Sequence, residues 1–249
     1  QVGESVADPL KYYRNNVAGA VSLVSAMREA GVDRFLFSST AAVYGEPEET
    51  PITEESPLHP VNAYGNTKLA IETMLDDCRR AWGLRSLSLR YFNAAGATAA
   101  HGEDHRPETH LIPLVLDAAA GRRGELVVYG DDYPTPDGTC VRDYIHVRDL
   151  ASAHVLALEK LAGGLSGAVN LGNGRGFSVL DVIRAAERVT GLAVPHRIGD
   201  RREGDPAVLV ASSARAEKLL GWRRRLPAIE EIIGDAYAWR RRYPDGYPD

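Results

Sequence analysis

Only two cysteines, Cys78 and Cys140, occur in 249 residues, too few for a disulfide framework and in keeping with a reducing cytoplasm. No 18-residue apolar run and nothing like a signal peptide is present, so no membrane partner is expected. An excess of positive charge is also missing. With 29 Lys and Arg against 34 Asp and Glu, the net charge of −5 gives no general reason to expect nucleic acid as a partner. Lysine itself is scarce, at positions 11, 68, 160 and 218. What is present is ordinary: 44% hydrophobic and 25% charged residues suffice for one large or two ordinary globular domains. The chain opens Gln1-Val2-Gly3, without Met, as a fragment would.

One of the few lysines closes Tyr64-Gly65-Asn66-Thr67-Lys68, at the head of an apolar-periodic run through Leu69, Met74, Leu75, Cys78 and Trp82. Asn62 near its start and Gly83 at its end predict a helix. Residues four apart share a helix face, so the Lys68 ammonium can stand beside the Tyr64 phenol. A phenol with a pKa of about 10 needs roughly 4 kcal/mol of preference for its anion to act near neutrality. One cation at about 4 Å is of that order. The pair would then be a general base for a hydroxyl proton. A chance Tyr-x-x-x-Lys arises roughly one time in five in such a composition. Its neighbours must therefore carry the argument.

Those neighbours alternate between helix and strand. A helix through Leu23, Val24, Met27 and Ala30 stops at Gly31, and Arg34 to Thr40 reads as a buried strand ending in Ser38, Ser39 and Thr40. In an open α/β sheet ligands bind at that carboxyl end, although hydroxyls there also serve as turn caps. Proline-rich Glu46 to Pro60 is a surface loop, and Leu84 to Asn93 alternates as a strand. The alternation predicts an α/β fold with a doubly wound parallel sheet. From Ala94 to Pro107 the chain is rich in Ala and Gly. It reads as a flexible loop over a substrate; its pair His101 and His105 lacks helical pattern and a further His or Cys nearby, so no metal is expected. A strand over Glu125–Tyr129 and helices through Leu180–Val189, Arg215–Leu220 and Ile229–Tyr237 build a smaller domain. Arg142, in a loop leading into strand-like Tyr144-Ile145-His146-Val147, is suited to phosphate by its planar fork.

Thr40 at a strand end, Tyr64 and Lys68 on the next helix and Asn15 on the preceding one resemble the short-chain dehydrogenase/reductase family in its extended branch. Several segments look like that branch's nucleotide-sugar 4-epimerases, in the same order and spacing. They are Asn15-Asn16-Val17, Ser38-Ser39-Thr40-Ala41-Ala42-Val43-Tyr44-Gly45, Arg90-Tyr91-Phe92-Asn93, Val141-Arg142-Asp143-Tyr144-Ile145-His146-Val147, Asn170-Leu171-Gly172, Arg201-Arg202-Glu203-Gly204-Asp205 and Tyr243-Pro244-Asp245-Gly246-Tyr247. One departure is plain: the Gly-rich phosphate fingerprint after a first strand is absent. The resemblance thus implies a Rossmann-like fold lacking its amino-terminal units. Residues 1–93 would be the remainder of the NAD-binding domain and 94–249 mainly the substrate domain, with 141–172 returning to the first.

The implied activity is NAD-dependent interconversion of UDP-glucose and UDP-galactose, by oxidation at C4 and re-reduction from the other face. Tyr64, Lys68 and Thr40 would be catalytic. Asn15, Ser38, Thr40, Tyr64, Lys68, Tyr91 and Phe92 would meet NAD. Thr40, Tyr64, Asn93, His110, Leu111, Tyr129, Arg142, Arg202, Asp205 and Leu209 would meet the UDP-sugar: Tyr129 by stacking on uracil, the two arginines on the diphosphate. Asp205 would meet a ribose or sugar hydroxyl. Leu209 would set a hexose pocket of intermediate size, which fits UDP-glucose and leaves UDP-N-acetylglucosamine open. Without the resemblance, Tyr129 would simply be core. A homodimer is the implied assembly. Related dehydratases carry Asp-Glu straight after the threonine, where this chain has Ala41-Ala42. An epimerase or decarboxylase for another nucleotide sugar, and a non-catalytic nucleotide-sugar-binding fragment, remain the alternatives.

Overall fold

Apolar periodicity and glycine stops set the helices of the computed structural model, which describes residues 1–202 and 204–247. Glu203, inside the Arg201–Asp205 motif, lies outside the described residues. In chain order, helices α1 (Val2–Ala7) and α2 (Pro9–Tyr12), a π-helical stretch (Tyr13–Ala18) and α3 (Gly19–Glu29) lead to strand β1 (Arg34–Thr40). A 3-10 turn (Ala41–Tyr44), α4 (Ala63–Trp82), β2 (Arg85–Tyr91), β3 (Asn93–Ala95), α5 (Leu111–Ala119), β4 (Leu126–Tyr129) and β5 (Val141–His146) follow. Then come α6 (Val147–Ala162), β6 (Gly167–Leu171), β7 (Gly176–Ser178), α7 (Val179–Thr190), β8 (His196–Gly199), β9 (Val208–Leu209), α8 (Ala214–Leu220) and α9 (Ile229–Arg242). No helix among the described residues is long and apolar enough to cross a membrane. The chain forms two compact units: residues 1–91, 152–171 and 212–222, and residues 92–151, 172–211 and 223–249.

In the first unit β1, β2 and β6 form a parallel sheet in that order. Thr40 pairs with Tyr91, and Tyr91 with Leu171, so all three strands end together. The apolar stripes of α3 and α4 bury Val24, Met27, Ile71 and Leu75 against Phe37 and Leu84. The Asn62 side chain caps α4 by accepting the Gly65 N–H at 2.9 Å, and Gly83 ends it in the left-handed region at φ 80°. Gly65 is required for a further reason. A Cβ there would lie 2.6 Å from the Ala42 carbonyl oxygen, so only glycine lets α4 start this close to the turn after β1.

A buried ion pair ties α4 to the sheet. Arg90 of β2 reaches Glu72 with its Nε 3.0 Å from one carboxylate oxygen and its Nη2 2.5 Å from the other. The Tyr44 hydroxyl accepts from Arg90 at 3.0 Å and donates to Asn170 at 2.7 Å, while Ser39 donates to Glu72 at 2.5 Å.

The second unit is organised on β5, which pairs parallel with β3 and β9 and antiparallel with β7. Helices α5, α7 and α9 cover a core that includes Ile112, Leu116, Tyr144, Ile183 and Ile233. Buried Asp143 accepts backbone N–H groups of Asn173, Gly174 and Ala211 at 2.5, 2.9 and 3.1 Å. Two readings from the sequence need correction. Arg142 belongs to strand β5 itself, not to a loop before it, because the pairing with Leu209 extends the strand to Val141. The strand expected through Asn93 ends at Tyr91, and Asn93 opens β3.

Candidate active site

Tyr64 sits in the first turn of α4 and Thr40 at the carboxyl end of β1, near enough for the Thr40 side chain to favour the Tyr64 phenolate. The Thr40 oxygen also accepts the Ala42 N–H at 3.1 Å, which orients it. Lys68, one turn further along α4, places its ammonium 5.7 Å from the Tyr64 ring centroid and 5.1 Å from that of Phe37. It donates to the Ser38 carbonyl oxygen at 3.0 Å. Burial pushes the Tyr64 phenol above its ordinary value; the Thr40 side chain opposes the rise and the Tyr91 phenol adds to it. Burial also pushes the Lys68 ammonium below its ordinary value. The expected lowering of the phenol by Lys68 is therefore not what this state holds. The ammonium faces a carbonyl and a ring, and desolvation of the phenolate wins.

Other residues of this unit fall at varied distances from that pair. Asn15, exposed on the π-helical stretch, donates to the neighbouring Asn16 at 3.1 Å, and Asn16 reaches the Thr67 hydroxyl on α4 at 3.0 Å. Tyr91 ends β2 with its ring 6.1 Å from the His154 ring. Sequence reasoning missed Tyr12, whose ring meets Tyr64 edge-on with centroids 6.4 Å apart. No local pattern marks that contact, because packing of α2 on α4 makes it.

In the second unit, five of the residues expected to meet substrate converge. Arg202 lies over the exposed Tyr129 ring, 4.6 Å from its centroid, and donates to Asp205 at 3.1 Å. Arg142 stands 3.5 Å from the other Asp205 oxygen and donates to the Val141 and Pro206 carbonyls at 2.9 and 2.7 Å. Leu209 is the β-ladder partner of Arg142. Two guanidinium forks on one carboxylate, beside an exposed aromatic face, make a site suited to a diphosphate joined to a planar base. Phe92 is buried, Asn93 is exposed at the start of β3, and Leu111 begins α5.

His110 stands apart from the arginine cluster in its bonding. Its Nδ1 lies 2.8 Å from both Glu103 and Glu108, and these carboxylates raise its pKa to about 9. That partnership is invisible in the sequence, where spacing marks no contact between His110 and either glutamate.

The donor set at the carboxyl ends of β1 and β2 suits the hydroxyls of a nicotinamide ribose. It comprises the Tyr64 phenol and the Lys68 ammonium on α4, placed where open α/β sheets take ligands.

Comparison with known proteins agrees with the class that this arrangement defines. The NAD dependent epimerase/dehydratase family matches residues 1–172, and the chain belongs to that family. Its relatives are more particular. The UDP-glucose 4-epimerase of Halalkalibacterium halodurans is 53% identical over 249 residues, covering 99% of this chain and 75% of its own length. The solved UDP-glucose 4-epimerase of Brucella ovis in complex with NAD is 52% identical, with a TM-score of 0.93 over 95% of this chain and 74% of that one. That of Bifidobacterium longum, in complex with NAD+ and UDP, is 43% identical with a TM-score of 0.94, over 99% and 75%.

Proposed function

We propose that this chain is a UDP-glucose 4-epimerase, interconverting UDP-glucose and UDP-galactose by inverting the hydroxyl at C4. The observation that carries the reading is the placing of Tyr64 and Lys68 on one face of α4, with Thr40 at the carboxyl end of β1 beside them. Bound NAD supplies a reversible hydride store, so that C4 passes through a ketone and is re-reduced from its other face. Thr40 hydrogen-bonds the sugar O4 and Tyr64 takes the O4 proton, then returns it. To do so the half-buried phenol must come down from its raised value. Lys68, itself partly desolvated, is the positive charge within reach on the same helix. Asn15, Ser38, Tyr91 and Phe92 are the further residues set against the cofactor.

Inversion requires the ketone to present both faces, so the nucleotide must be held firmly and the sugar loosely. Tyr129 stacks on the uracil, Arg142 and Arg202 grip the diphosphate, and Asp205 accepts from a hydroxyl of ribose or sugar. His110 and Leu111 meet the nucleotide, and Asn93 and Leu209 the hexose. Two features support the finer parts of the proposal. Exposed Val21 and Leu23 on α3 suit a homodimer face, and two free cysteines suit the cytoplasm. The deciding assay is coupled detection of UDP-glucose formed from UDP-galactose with NAD present. Formation abolished in Tyr64→Phe is expected; no formation by the unaltered protein overturns the proposal.

A further inference from the structure

The segment from Glu103 to His110 carries four side chains with metal-ligating atoms, contributed by Glu103, His105, Glu108 and His110. One such atom from each lies within 4.8 Å of the other three. His110 Nδ1 is 2.8 Å from Glu103 Oε1 and from Glu108 Oε1, and His105 Nδ1 is 3.0 Å from Glu103 Oε1. The two imidazole rings lean together at 43°, centroids 4.8 Å apart. Zinc takes imidazole nitrogen and carboxylate oxygen at about 2.0–2.2 Å, in tetrahedra whose ligand atoms are then roughly 3.4 Å apart. The observed separations bracket that edge, so a small inward shift of side chains would close the shell.

A second observation points to a ligand. Glu108 Oε2 is buried and has no hydrogen-bond partner; its nearest cationic neighbour, His105 Nδ1, is 3.9 Å away. A buried carboxylate oxygen left unpaired is costly, and its other oxygen is already committed to the Thr109 and His110 N–H groups at 2.7 and 2.8 Å. The backbone around the cluster is held. Gly102 lies flat against Trp239, where a Cβ would come 2.1 Å from the ring, and its N–H donates to the Tyr247 hydroxyl at 2.9 Å. Arg106 donates to the Asp245 carbonyl at 3.0 Å.

We propose that Glu103, His105, Glu108 and His110 form a site for one divalent transition-metal ion of the zinc class. The ion clips this segment to the start of α5. It neutralises two clustered carboxylates and satisfies the orphaned Glu108 oxygen. The site has no ligand in common with Tyr64, Thr40 and Lys68 and takes no part in proton transfer, but it shares His110 with the residues proposed to meet the nucleotide.

The test is to strip the full chain with chelator, dialyse it against zinc chloride, and measure bound zinc by mass spectrometry. One equivalent per chain is expected. His105→Ala and Glu103→Gln, each checked by circular dichroism for retained fold, should weaken binding at least about tenfold. Added zinc should raise the melting temperature of the unaltered chain and leave that of both variants unmoved. Failure to retain zinc, or retention unchanged in both variants, would overturn the assignment.

Discussion

The Lys68 ammonium stands 5.7 Å from the centroid of the Tyr64 ring but donates its hydrogen bond to the Ser38 carbonyl, 3.0 Å away. The two residues therefore share a helix face without forming the phenolate pair that spacing alone suggests. Burial holds the phenol up and the ammonium down, so each is poised on the neutral side of its ordinary behaviour. Tyr64→Phe removes the proton acceptor while leaving the ring. Turnover should fall by at least about 100-fold, with UDP affinity by calorimetry nearly unchanged. A variant with near-normal turnover would refute the base assignment.

Lys68→Met tests the electrostatic half of the same claim. With the nearby charge gone, the ascending, acidic limb of the kcat/KM profile should move to higher pH, because a phenol without its cation ionises later. An unmoved profile would mean that Lys68 serves only to hold the end of β1 through Ser38.

Arg142 and Arg202 share Asp205, and Arg142 is further fixed by the Val141 and Pro206 carbonyls. Arg142→Ala should raise the Kd for UDP at least about tenfold, since a charge-assisted, pre-oriented fork is worth roughly 1.5–3 kcal/mol. Uridine, which lacks the diphosphate, should bind both proteins alike. Equal loss for uridine would place Arg142 elsewhere than on the phosphates.

Leu209, beside Arg142 on the neighbouring strand, is the residue we propose to face the hexose. Leu209→Tyr adds bulk there and should depress activity on UDP-N-acetylglucosamine more than on UDP-glucose. An unchanged ratio of the two kcat/KM values removes Leu209 from the pocket.

His146, with a fully buried side chain, is kept neutral by its bonding. Its Nδ1 accepts the Arg148 N–H at 3.0 Å, which leaves Nε2 to donate to Asp235 at 3.2 Å. Burial lowers its pKa from the ordinary 6.5, outweighing Asp235 and Asp149, with Arg148 adding to the fall. A lowered folded-state value means the unfolded chain binds the proton first. The stability so contributed is present above about pH 6.5 and is lost as pH falls through the folded value. Urea melts at pH 7.5 and 5.5 should show this loss, and His146→Gln should lessen it. An identical pH response in the variant would assign the effect to other groups.

The α/β alternation, the capped start of α4 at Asn62 and its stop at Gly83 were legible in the residues, because helix ends and strand periods are decided within a few positions. So was the placing of Tyr64 and Lys68 on one face, which follows from 3.6 residues per turn. Tertiary structure decided what each of those groups faces. Lys68 turns to the Ser38 carbonyl, Glu72 and Arg90 meet across α4 and β2, and Tyr12 abuts Tyr64. It also gathered Glu103, His105, Glu108 and His110 around one point, from a segment whose residues show no regular period. Local backbone preference sets the direction in which a side chain leaves the chain. Its partner, its burial and hence its pKa depend on segments far away in sequence, and only the folded packing brings those together.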